Sequence, residues 1–310
     1  MSWNCGDKSG LISIGSHSLF LTAAGINRKT LNNGSLQPAI LIEAGLGSSH
    51  KEWVAVIQRI ALRSRVYAYD RAGYGSSQPS PTLNYTAETR VHELFMMLQV
   101  ANIEPPFILI GHSYGGVLVR EFFLQYPQMV AGIILVDSPW ARRPLPTDWT
   151  ILLGTSTYSS VVGLDENHVL SDEEYKAIRS DEEFNTPTAT IEEQYIELST
   201  QRVNKFLSKP FPIMGNIPLS VIFAGESADF RKVYNYGVKH GLGRERAQRD
   251  LAGWLEEMEF VEESDQRIHL TLSGNSRFNY AMGEAKTHNL QYVKPELICK
   301  EVFWMLGLDV

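Results

Sequence analysis

Short apolar runs alternate along the chain with segments in which apolar residues recur every three or four positions. The first kind of segment is typical of a buried strand, and the second is typical of an amphipathic helix. Strands are predicted at residues 11–18, 19–24, 39–44, 65–69, 107–110, 131–136, 219–224 and 267–272. Regular alternation of strands with helices favours an α/β fold, in which a mostly parallel central sheet carries helices on both faces.

The alternation stops between residues 138 and 218, where no buried strand is predicted. Helix starts are indicated there instead, because Ser171 and Thr190 are each followed three residues later by a glutamate, as in a capping box. We therefore predict that residues 138–218 form a helical cap, or lid, inserted into a core domain made of residues 1–137 and 219–310.

The composition narrows the class of protein and its partners. The chain has 310 residues, a net charge of -7 and no basic run, so nucleic acid is not an expected partner. The first ten residues lack the apolar core of a signal peptide, and no apolar stretch is long enough to span a bilayer. We therefore expect a cytoplasmic protein that does not bind a membrane. Cys5 and Cys299 are too few for a disulfide framework, and no metal-binding or dinucleotide-binding motif indicates a cofactor.

A Gly-x-Ser-x-Gly motif centred on Ser113 carries the clearest chemical signal. It directly follows the predicted strand 107–110 and precedes a helical pattern at residues 116–126. This is the setting of a nucleophile elbow, a sharp turn that holds a serine clear of the sheet and requires small residues two positions either side, here Gly111 and Gly115. A serine hydroxyl is a weak nucleophile, so it also needs a base and a third group that orients the base.

Five segments, in order along the chain, resemble motifs of the α/β-hydrolase superfamily. They are Glu43-Ala44-Gly45-Leu46-Gly47, Asp70-Arg71-Ala72-Gly73-Tyr74-Gly75, the elbow from Gly111 to Gly116, Leu135-Val136-Asp137-Ser138, and His288-Asn289-Leu290 ahead of Pro295-Glu296-Leu297. The similarity is to the branch of serine esterases, lactonases and aminopeptidase-like enzymes, and it covers nearly the whole chain outside the predicted cap. It implies the α/β-hydrolase fold and a catalytic triad built on Ser113. A serine in the elbow argues against epoxide hydrolases and haloalkane dehalogenases, which resemble this fold but use an aspartate there.

The resemblance implies that His288, in the loop before the final helix, is the catalytic base. The acid has two candidates. Members of the superfamily usually carry it after the seventh strand, where Asp229 stands one residue later than the common spacing, and others carry it after the sixth strand, which Asp137 ends. We favour Asp137, because strands five and six should be neighbours and would place its carboxylate beside the elbow. Asp229 is the alternative.

Other residues of the motifs are expected to support the reaction. The negative oxygen of a tetrahedral intermediate needs fixed donors, and the backbone N–H groups of Tyr114 and Leu46 are the expected oxyanion hole. His112 is expected to pack beside the active site. Asp70 and Arg71 are expected to brace their loop as a structural ion pair.

These residues together predict a serine hydrolase that cleaves a carboxylic ester or lactone of a hydrophobic small molecule through an acyl-enzyme on Ser113, without a cofactor. The cap should cover the catalytic edge and shape the pocket. Aromatic side chains in the cap suggest a bulky hydrophobic substrate. They include Trp140, Trp149, Tyr158, Tyr175 and Tyr195.

Three other functions remain open on the sequence. An acyltransferase or cyclase would use the same triad, with a substrate hydroxyl or amine in place of water. An aminopeptidase-like amidase would need an anionic pocket for the substrate amine, which Glu173, Glu174, Glu192 and Glu193 could supply, although exposed helix faces are the ordinary place for such residues. A non-catalytic ligand receptor is disfavoured by the intact serine and histidine.

Overall fold

The computed structural model describes residues 2–32 and 34–308. Its strands are β1 (Lys8–Ser13), β2 (Ser18–Ala24), β3 (Ala39–Glu43), β4 (Val66–Tyr69), β5 (Phe107–His112), β6 (Val130–Val136), β7 (Leu219–Phe223) and β8 (Ser276–Tyr280). Its α-helices are α1 (Val54–Ala61), α2 (Ala87–Val100), α3 (Gly115–Gln125), α4 (Tyr158–Val162), α5 (Leu164–Asn167), α6 (Asp172–Leu207), α7 (Glu226–Lys239), α8 (Glu245–Arg267) and α9 (Pro295–Met305).

Over these residues the strands form one eight-stranded sheet in the order β1-β2-β4-β3-β5-β6-β7-β8. Only the pairs β1–β2 and β2–β4 are antiparallel, so the predicted mostly parallel sheet is confirmed. The expected neighbours β5 and β6 pair directly, with His112 opposite Val136. Residues that follow these two strands therefore leave the sheet side by side at its carboxyl edge, where ligands bind in open parallel sheets.

Helices cover both faces of the sheet, as the alternating pattern predicts. α2, α3 and the second half of α6 pack on one face through residues such as Leu94, Val117 and Val203. α1 and α9 pack on the other face through residues such as Val56 and Ile298. Every residue of β3, β4 and β5 is buried because these central strands are covered on both sides.

The last predicted strand, residues 267–272, is wrong. Residues Ile268–Leu272 form a 3-10 helix, and β8 follows them. β8 is an edge strand that pairs with β7 alone, and its residues are half-buried or exposed, so it lacks the apolar run by which a central strand is recognised. His269 therefore lies in the 3-10 helix, where its Nε2 is 3.0 Å from the carbonyl oxygen of Ser138.

The regular structure of the described chain between β6 and β7 is helical, and none of the described residues there belongs to a strand of the sheet. The capping box at Ser171 is confirmed at the start of α6. The second predicted helix start, at Thr190, is wrong, because Thr190 lies inside the 36-residue α6 and its hydroxyl donates to the carbonyl of Thr186 at 2.9 Å. The division into a core domain and a cap of residues 138–218 stays a prediction. No helix in the described part of the chain is both long and apolar enough to cross a membrane.

Candidate active site

Ser113 occupies a sharp turn between β5 and α3. Its φ of 52° is left-handed, and its N–H donates to the carbonyl of Val136 on the neighbouring strand at 3.0 Å. A Cβ at Gly115 would lie 2.3 Å from the carbonyl oxygen of Glu43, and one at Gly111 would lie 2.6 Å from that of Gly115. The turn can therefore form only with glycine at both flanking positions, and the strand–turn–helix setting of the motif is present.

A cavity of about 520 Å³ lies over this turn, at the carboxyl edge of the sheet. Ser113, Asp137 and His288 line it, and so do Leu46 and Tyr114. The structure thus brings to one cavity five of the six residues that the sequence singled out for catalysis; the sixth, Asp229, is not among the described residues that line it.

His288 and Asp137 form a hydrogen-bonded ion pair, with Nδ1 of the ring 2.8 Å from Oδ2 of the carboxylate. The other oxygen of Asp137 accepts hydrogen bonds from the N–H groups of Ala224 and Gly225, at 3.1 and 3.0 Å, and from the amide of Gln266 at 2.9 Å. Burial alone would raise the pKa of Asp137, but these donors and His288 lower it below its ordinary value. The carboxylate is therefore held ionised and fixed in direction against the ring.

Asp229 supports the same histidine differently. It lies in the first turn of α7, and its Oδ2 accepts from the backbone N–H of His288 at 2.8 Å and from the hydroxyl of Thr287 at 2.7 Å. Asp229 therefore also lies close to His288, although helix α7 continues away from it. Asp229 binds the main chain of the histidine loop, whereas Asp137 binds the ring.

The electrostatic surroundings of His288 favour its charged form. Burial opposes protonation, but the hydrogen bond to Asp137 and the negative charges of Glu226 and Asp229 outweigh it and raise the pKa of His288 to about 9. The neighbouring His112 behaves oppositely, because burial and the adjacent His288 lower its pKa to about 3. Nε2 of His112 donates to the backbone carbonyl of His288 at 2.8 Å, so His112 packs beside the cavity against the loop that carries His288.

Leu46 and Tyr114 line the cavity from two elements, the loop after β3 and the residue that precedes α3. Within residues 2–32 and 34–308, neither amide donates to an acceptor of the protein. Gly45 brings the loop close, since a Cβ there would lie 3.0 Å from Nδ1 of His112. Two amide donors without internal acceptors beside a serine are the elements from which an oxyanion hole is made.

Carboxylates that the sequence did not single out face the same cavity. They include Glu52, Glu182, Glu226 and Glu262. Burial raises the pKa of each of them, to about 7 for Glu52 and Glu262. Each belongs to a different helix and is an ordinary acidic position there, so only the folded chain reveals the group. Arg142 and Arg143 add positive charge, and Leu145, Ile196 and Met258 add apolar surface.

The aromatic residues expected to shape the pocket lie elsewhere. The described residues that line the cavity include none of the five aromatic residues named from the sequence, which are Trp140, Trp149, Tyr158, Tyr175 and Tyr195. Trp149 packs edge-on against Phe230 of α7 with ring centroids 5.1 Å apart, and Tyr175 stacks on His168 at 3.9 Å. The hydroxyl of Tyr195 bonds a main-chain carbonyl 2.8 Å away. These side chains attach helices to one another and to the core, so the inference of a hydrophobic substrate loses its structural basis.

The glutamates considered for an amine pocket are also separated. Glu173 is exposed, Glu174 caps α6, and Glu192 is fully buried between two arginines. Glu193 alone of the four lines the cavity, where it is paired with Arg142. Acidic side chains do line the cavity, but Glu193 is the only one of them that the sequence suggested for an amine pocket.

The expected ion pair between Asp70 and Arg71 is wrong. Oδ1 of Asp70 accepts a hydrogen bond from the backbone N–H of His50 at 2.8 Å. The same oxygen lies 2.8 Å from Nδ1 of the His50 ring. Arg71 turns the other way and pairs with Glu43 and Glu192, at 2.9 and 3.0 Å. The two residues are adjacent in sequence, but each is held by side chains from distant parts of the chain. In the part of the chain that the structure describes, no group of three or more His, Cys, Asp or Glu side chains could hold a metal ion.

Comparison with known proteins agrees with this architecture. A family model described as the alpha/beta hydrolase fold matches residues 38–200. The chain is also 31% identical over 299 residues to an AB hydrolase superfamily protein of Gibberella zeae, covering 92% of this chain and 89% of that one. The protein therefore belongs to the α/β-hydrolase family.

Two solved structures show how far the fold is shared. A serine hydrolase involved in carbazole degradation, the CarC enzyme, has a TM-score of 0.60 at 17% identity, covering 98% of this chain and 100% of its own. The epoxide hydrolase CorEH has a TM-score of 0.61 at 15% identity, covering 97% of this chain and 99% of its own. At such identities the likeness concerns the fold alone, and the chemistry has to be argued from the site.

Proposed function

We propose that the protein is a serine hydrolase that cleaves a carboxylic ester or lactone of a small molecule through an acyl-enzyme on Ser113. The observation that carries the proposal is the 2.8 Å contact between Nδ1 of His288 and Asp137, beside a serine in a strained elbow on the same cavity wall. The contact fixes the ring so that its other nitrogen is free to serve the serine hydroxyl.

The steps follow from these positions. Oγ of Ser113 attacks the carbonyl carbon while Nε2 of His288 takes its proton, and Asp137 stabilises the imidazolium that forms. The backbone N–H groups of Leu46 and Tyr114 bind the negative oxygen of the tetrahedral intermediate. His288 then protonates the leaving alcohol. Water then attacks the acyl carbon while His288 again acts as the base. His288 returns the proton to Oγ of Ser113 as the acyl–Oγ bond breaks, and the carboxylic acid is released.

The cavity wall supports a substrate with polar as well as apolar parts. Glu226 and Glu262 present acceptors next to the proposed triad, whereas Leu145 and Met258 present apolar surface. An ester or lactone that carries hydroxyl or amino groups fits this mixture better than a purely hydrocarbon chain. Hydrolysis and acyl transfer use the same residues. Product analysis separates them, because the first gives a free acid and the second a new ester, amide or ring.

The nucleophile is tested with Ser113→Ala. The variant should lose covalent labelling by a fluorophosphonate and should hydrolyse p-nitrophenyl esters about 10⁴- to 10⁶-fold more slowly than the wild type. Ser156→Ala is a matched control, because Ser156 bonds Tyr236 and lies outside the cavity. Full labelling of the Ser113 variant, or labelling that disappears only in the Ser156 variant, would show that another residue is the nucleophile. A screen of p-nitrophenyl esters, lactones and aminoacyl anilides then defines the substrate class.

A further inference from the structure

The oxyanion loop, defined here as residues 44–47, is held from behind by Arg71. Nη1 of Arg71 donates to the carbonyl of Ala44 at 2.7 Å, and Nη2 donates to the carbonyl of Gly45 at 2.6 Å. Arg71 is buried and does not line the cavity. Its guanidinium therefore contacts the loop on the side away from the substrate.

The bond to Gly45 determines the direction of the next amide. A trans peptide is planar, and its C=O and N–H point in opposite directions. The carbonyl of Gly45 and the N–H of Leu46 belong to one peptide unit. Because Arg71 holds that carbonyl behind the loop, the N–H of Leu46 is directed away from Arg71, toward the cavity that Leu46 lines.

Arg71 is itself held by the long helix α6. Its Nε and Nη2 donate to the two oxygens of Glu192 at 3.2 and 3.0 Å, and Nη1 donates to Glu43 at 2.9 Å. Glu192 is fully buried, so its charge has to be compensated by partners. Burial alone would raise the pKa of Glu192, but Arg71 and a second arginine, Arg90, lower it below its ordinary value. The cluster is thus charged, buried and held by directed hydrogen bonds.

A second pair of contacts joins α6 to the same loop. Asn185 donates from Nδ2 to the carbonyl of Gly47 at 2.8 Å, and its Oδ1 accepts from the N–H of Gly75 at 2.8 Å. The hydroxyl of Tyr74 donates to Glu192 at 2.6 Å and accepts from the N–H of Gly47 at 3.4 Å. α6 therefore supports the loop on both sides of Leu46.

We propose that Arg71 is a positioning residue for the oxyanion hole and that Glu192 of α6 holds Arg71 in place. The proposal rests on the function proposed above, in which the N–H of Leu46 binds the oxyanion. In this arrangement α6 does more than cover the cavity, because the direction of one catalytic donor depends on a carboxylate that α6 supplies. A lysine cannot replace Arg71, since one ammonium group cannot bridge two carbonyls and two carboxylates in the plane that a guanidinium offers.

The test compares an ester with its thionoester, p-nitrophenyl butyrate with the analogue in which sulfur replaces the carbonyl oxygen. Sulfur is larger and accepts hydrogen bonds weakly, so an intact oxyanion hole favours the oxygen ester and a damaged hole favours it less. Arg71→Lys should lower kcat for the oxygen ester about 100-fold, with KM changed by less than about threefold, and should shrink the oxygen-to-sulfur ratio of kcat/KM. Active-site titration with a fluorophosphonate corrects for any inactive protein.

Arg90→Lys is the matched control. Arg90 is buried and its Nε donates to the carboxylate of Glu192 at 2.7 Å, but the main-chain carbonyl that it binds belongs to Ala72 rather than to the oxyanion loop. The Arg90→Lys variant should disturb the same ion cluster and leave the oxygen-to-sulfur ratio of kcat/KM near that of the wild type. An unchanged ratio in Arg71→Lys, or an equal fall of the ratio in Arg90→Lys, overturns the proposal. If Arg71→Lys does not fold, Glu192→Gln replaces it, with a smaller fall of the ratio expected and an unchanged ratio counting against the proposal.

The outcome can be separated from that of the proposed function. If Ser113→Ala keeps the wild-type turnover, the serine mechanism fails whatever Arg71 does. If Ser113→Ala is inactive and Arg71→Lys retains the wild-type ratio, only the role of Arg71 fails.

Discussion

At the scale of single residues, two aspartates divide the support of His288. Asp137 binds the ring nitrogen and Asp229 binds the backbone N–H, each at 2.8 Å. A carboxylate on the ring selects the tautomer that leaves Nε2 able to accept a proton, whereas one on the main chain fixes only where the loop lies. We therefore expect the two contacts to have different kinetic consequences, although both carboxylates lie close to the same histidine.

We predict that Asp137→Asn lowers kcat by about 10⁴-fold, because the ring loses its orienting acceptor and can take the wrong tautomer. Asp229→Asn should lower kcat by less than about tenfold and act mainly on thermal stability, because its amide oxygen can still accept from the loop. The measurement is kcat at equal folded fraction, which is determined by circular dichroism. A large kinetic loss in Asp229→Asn together with near-full turnover in Asp137→Asn would reverse the assignment.

How well these residues could be predicted depends on how local their signals are. Ser113 and its glycines form a contiguous motif whose geometry is dictated by neighbouring backbone atoms, so the sequence predicts the elbow directly. The partner of His288 depends on which strands are neighbours, which left two aspartates open. The contact between Arg71 and Glu192 joins residues 121 positions apart and has no sequence signature at all. A buried charge network depends on which distant segments pack together, and no local pattern in the sequence reveals that.

At the scale of elements, α6 shows what periodicity can and cannot predict. Its start at Ser171 was predictable, because a capping box satisfies orphan backbone donors locally. Its length was not, since the same pattern at Thr190 occurs within a helix whose interior hydrogen bonds already satisfy those donors. β8 was missed for a related reason. As an edge strand it buries little, so apolar periodicity is weak exactly where the sheet ends.

The positions of the aromatic residues lead to an element-scale prediction. Trp149→Ala should lower the free energy of unfolding by about 2 kcal/mol, because Trp149 is half-buried against α7, and should leave substrate selectivity unchanged. Thr190→Leu should change substrate selectivity and leave the free energy of unfolding nearly unchanged. Thr190 lies on α6 at the cavity wall, and its hydroxyl donates to a carbonyl of its own helix. The added volume should favour butyrate over octanoate p-nitrophenyl esters by about tenfold more than the wild type does.

Urea unfolding and the ratio of kcat/KM for the two esters measure these effects, and each variant is the control of the other. A shift in selectivity in Trp149→Ala, with none in Thr190→Leu, would mean that the cap aromatics reach the substrate after all.

At the scale of the whole molecule, the acidic cavity has an energetic cost. Burial raises the pKa of Glu52 and of Glu262 from 4.5 to about 7. The ionised form of each side chain therefore destabilises the folded state relative to the unfolded chain. In the unfolded chain both would lose their protons near pH 4.5. A folded-state pKa that is higher than the unfolded value means that stability is lost as the pH rises between the two values. The contribution of these two glutamates to the stability of the folded protein should therefore be lower at pH 8 than at pH 5.

Glu52 gives the sharpest test of this cost. It is 7% exposed, and its Oε2 accepts from the amide of Gln291 at 3.0 Å. Within the described residues the other atom of that amide, Oε1 of Gln291, is buried without a partner, so a neutral side chain with a donor suits the position. Glu52→Gln supplies such a donor and removes the charge. Its stabilising effect should approach roughly 3 kcal/mol at pH 8, the equivalent of the pKa difference, and fall below about 1 kcal/mol at pH 5.

The measurement is urea unfolding of wild type and Glu52→Gln at both pH values. Glu296→Gln is the control, because Glu296 forms an exposed pair with Arg59 and should change stability by less than about 1 kcal/mol at either pH. The argument depends on the difference between the two pH values rather than on either value alone. Equal stabilisation of Glu52→Gln at pH 5 and pH 8 would mean that the gain comes from the new hydrogen bond, and that the charge of Glu52 costs the folded protein nothing.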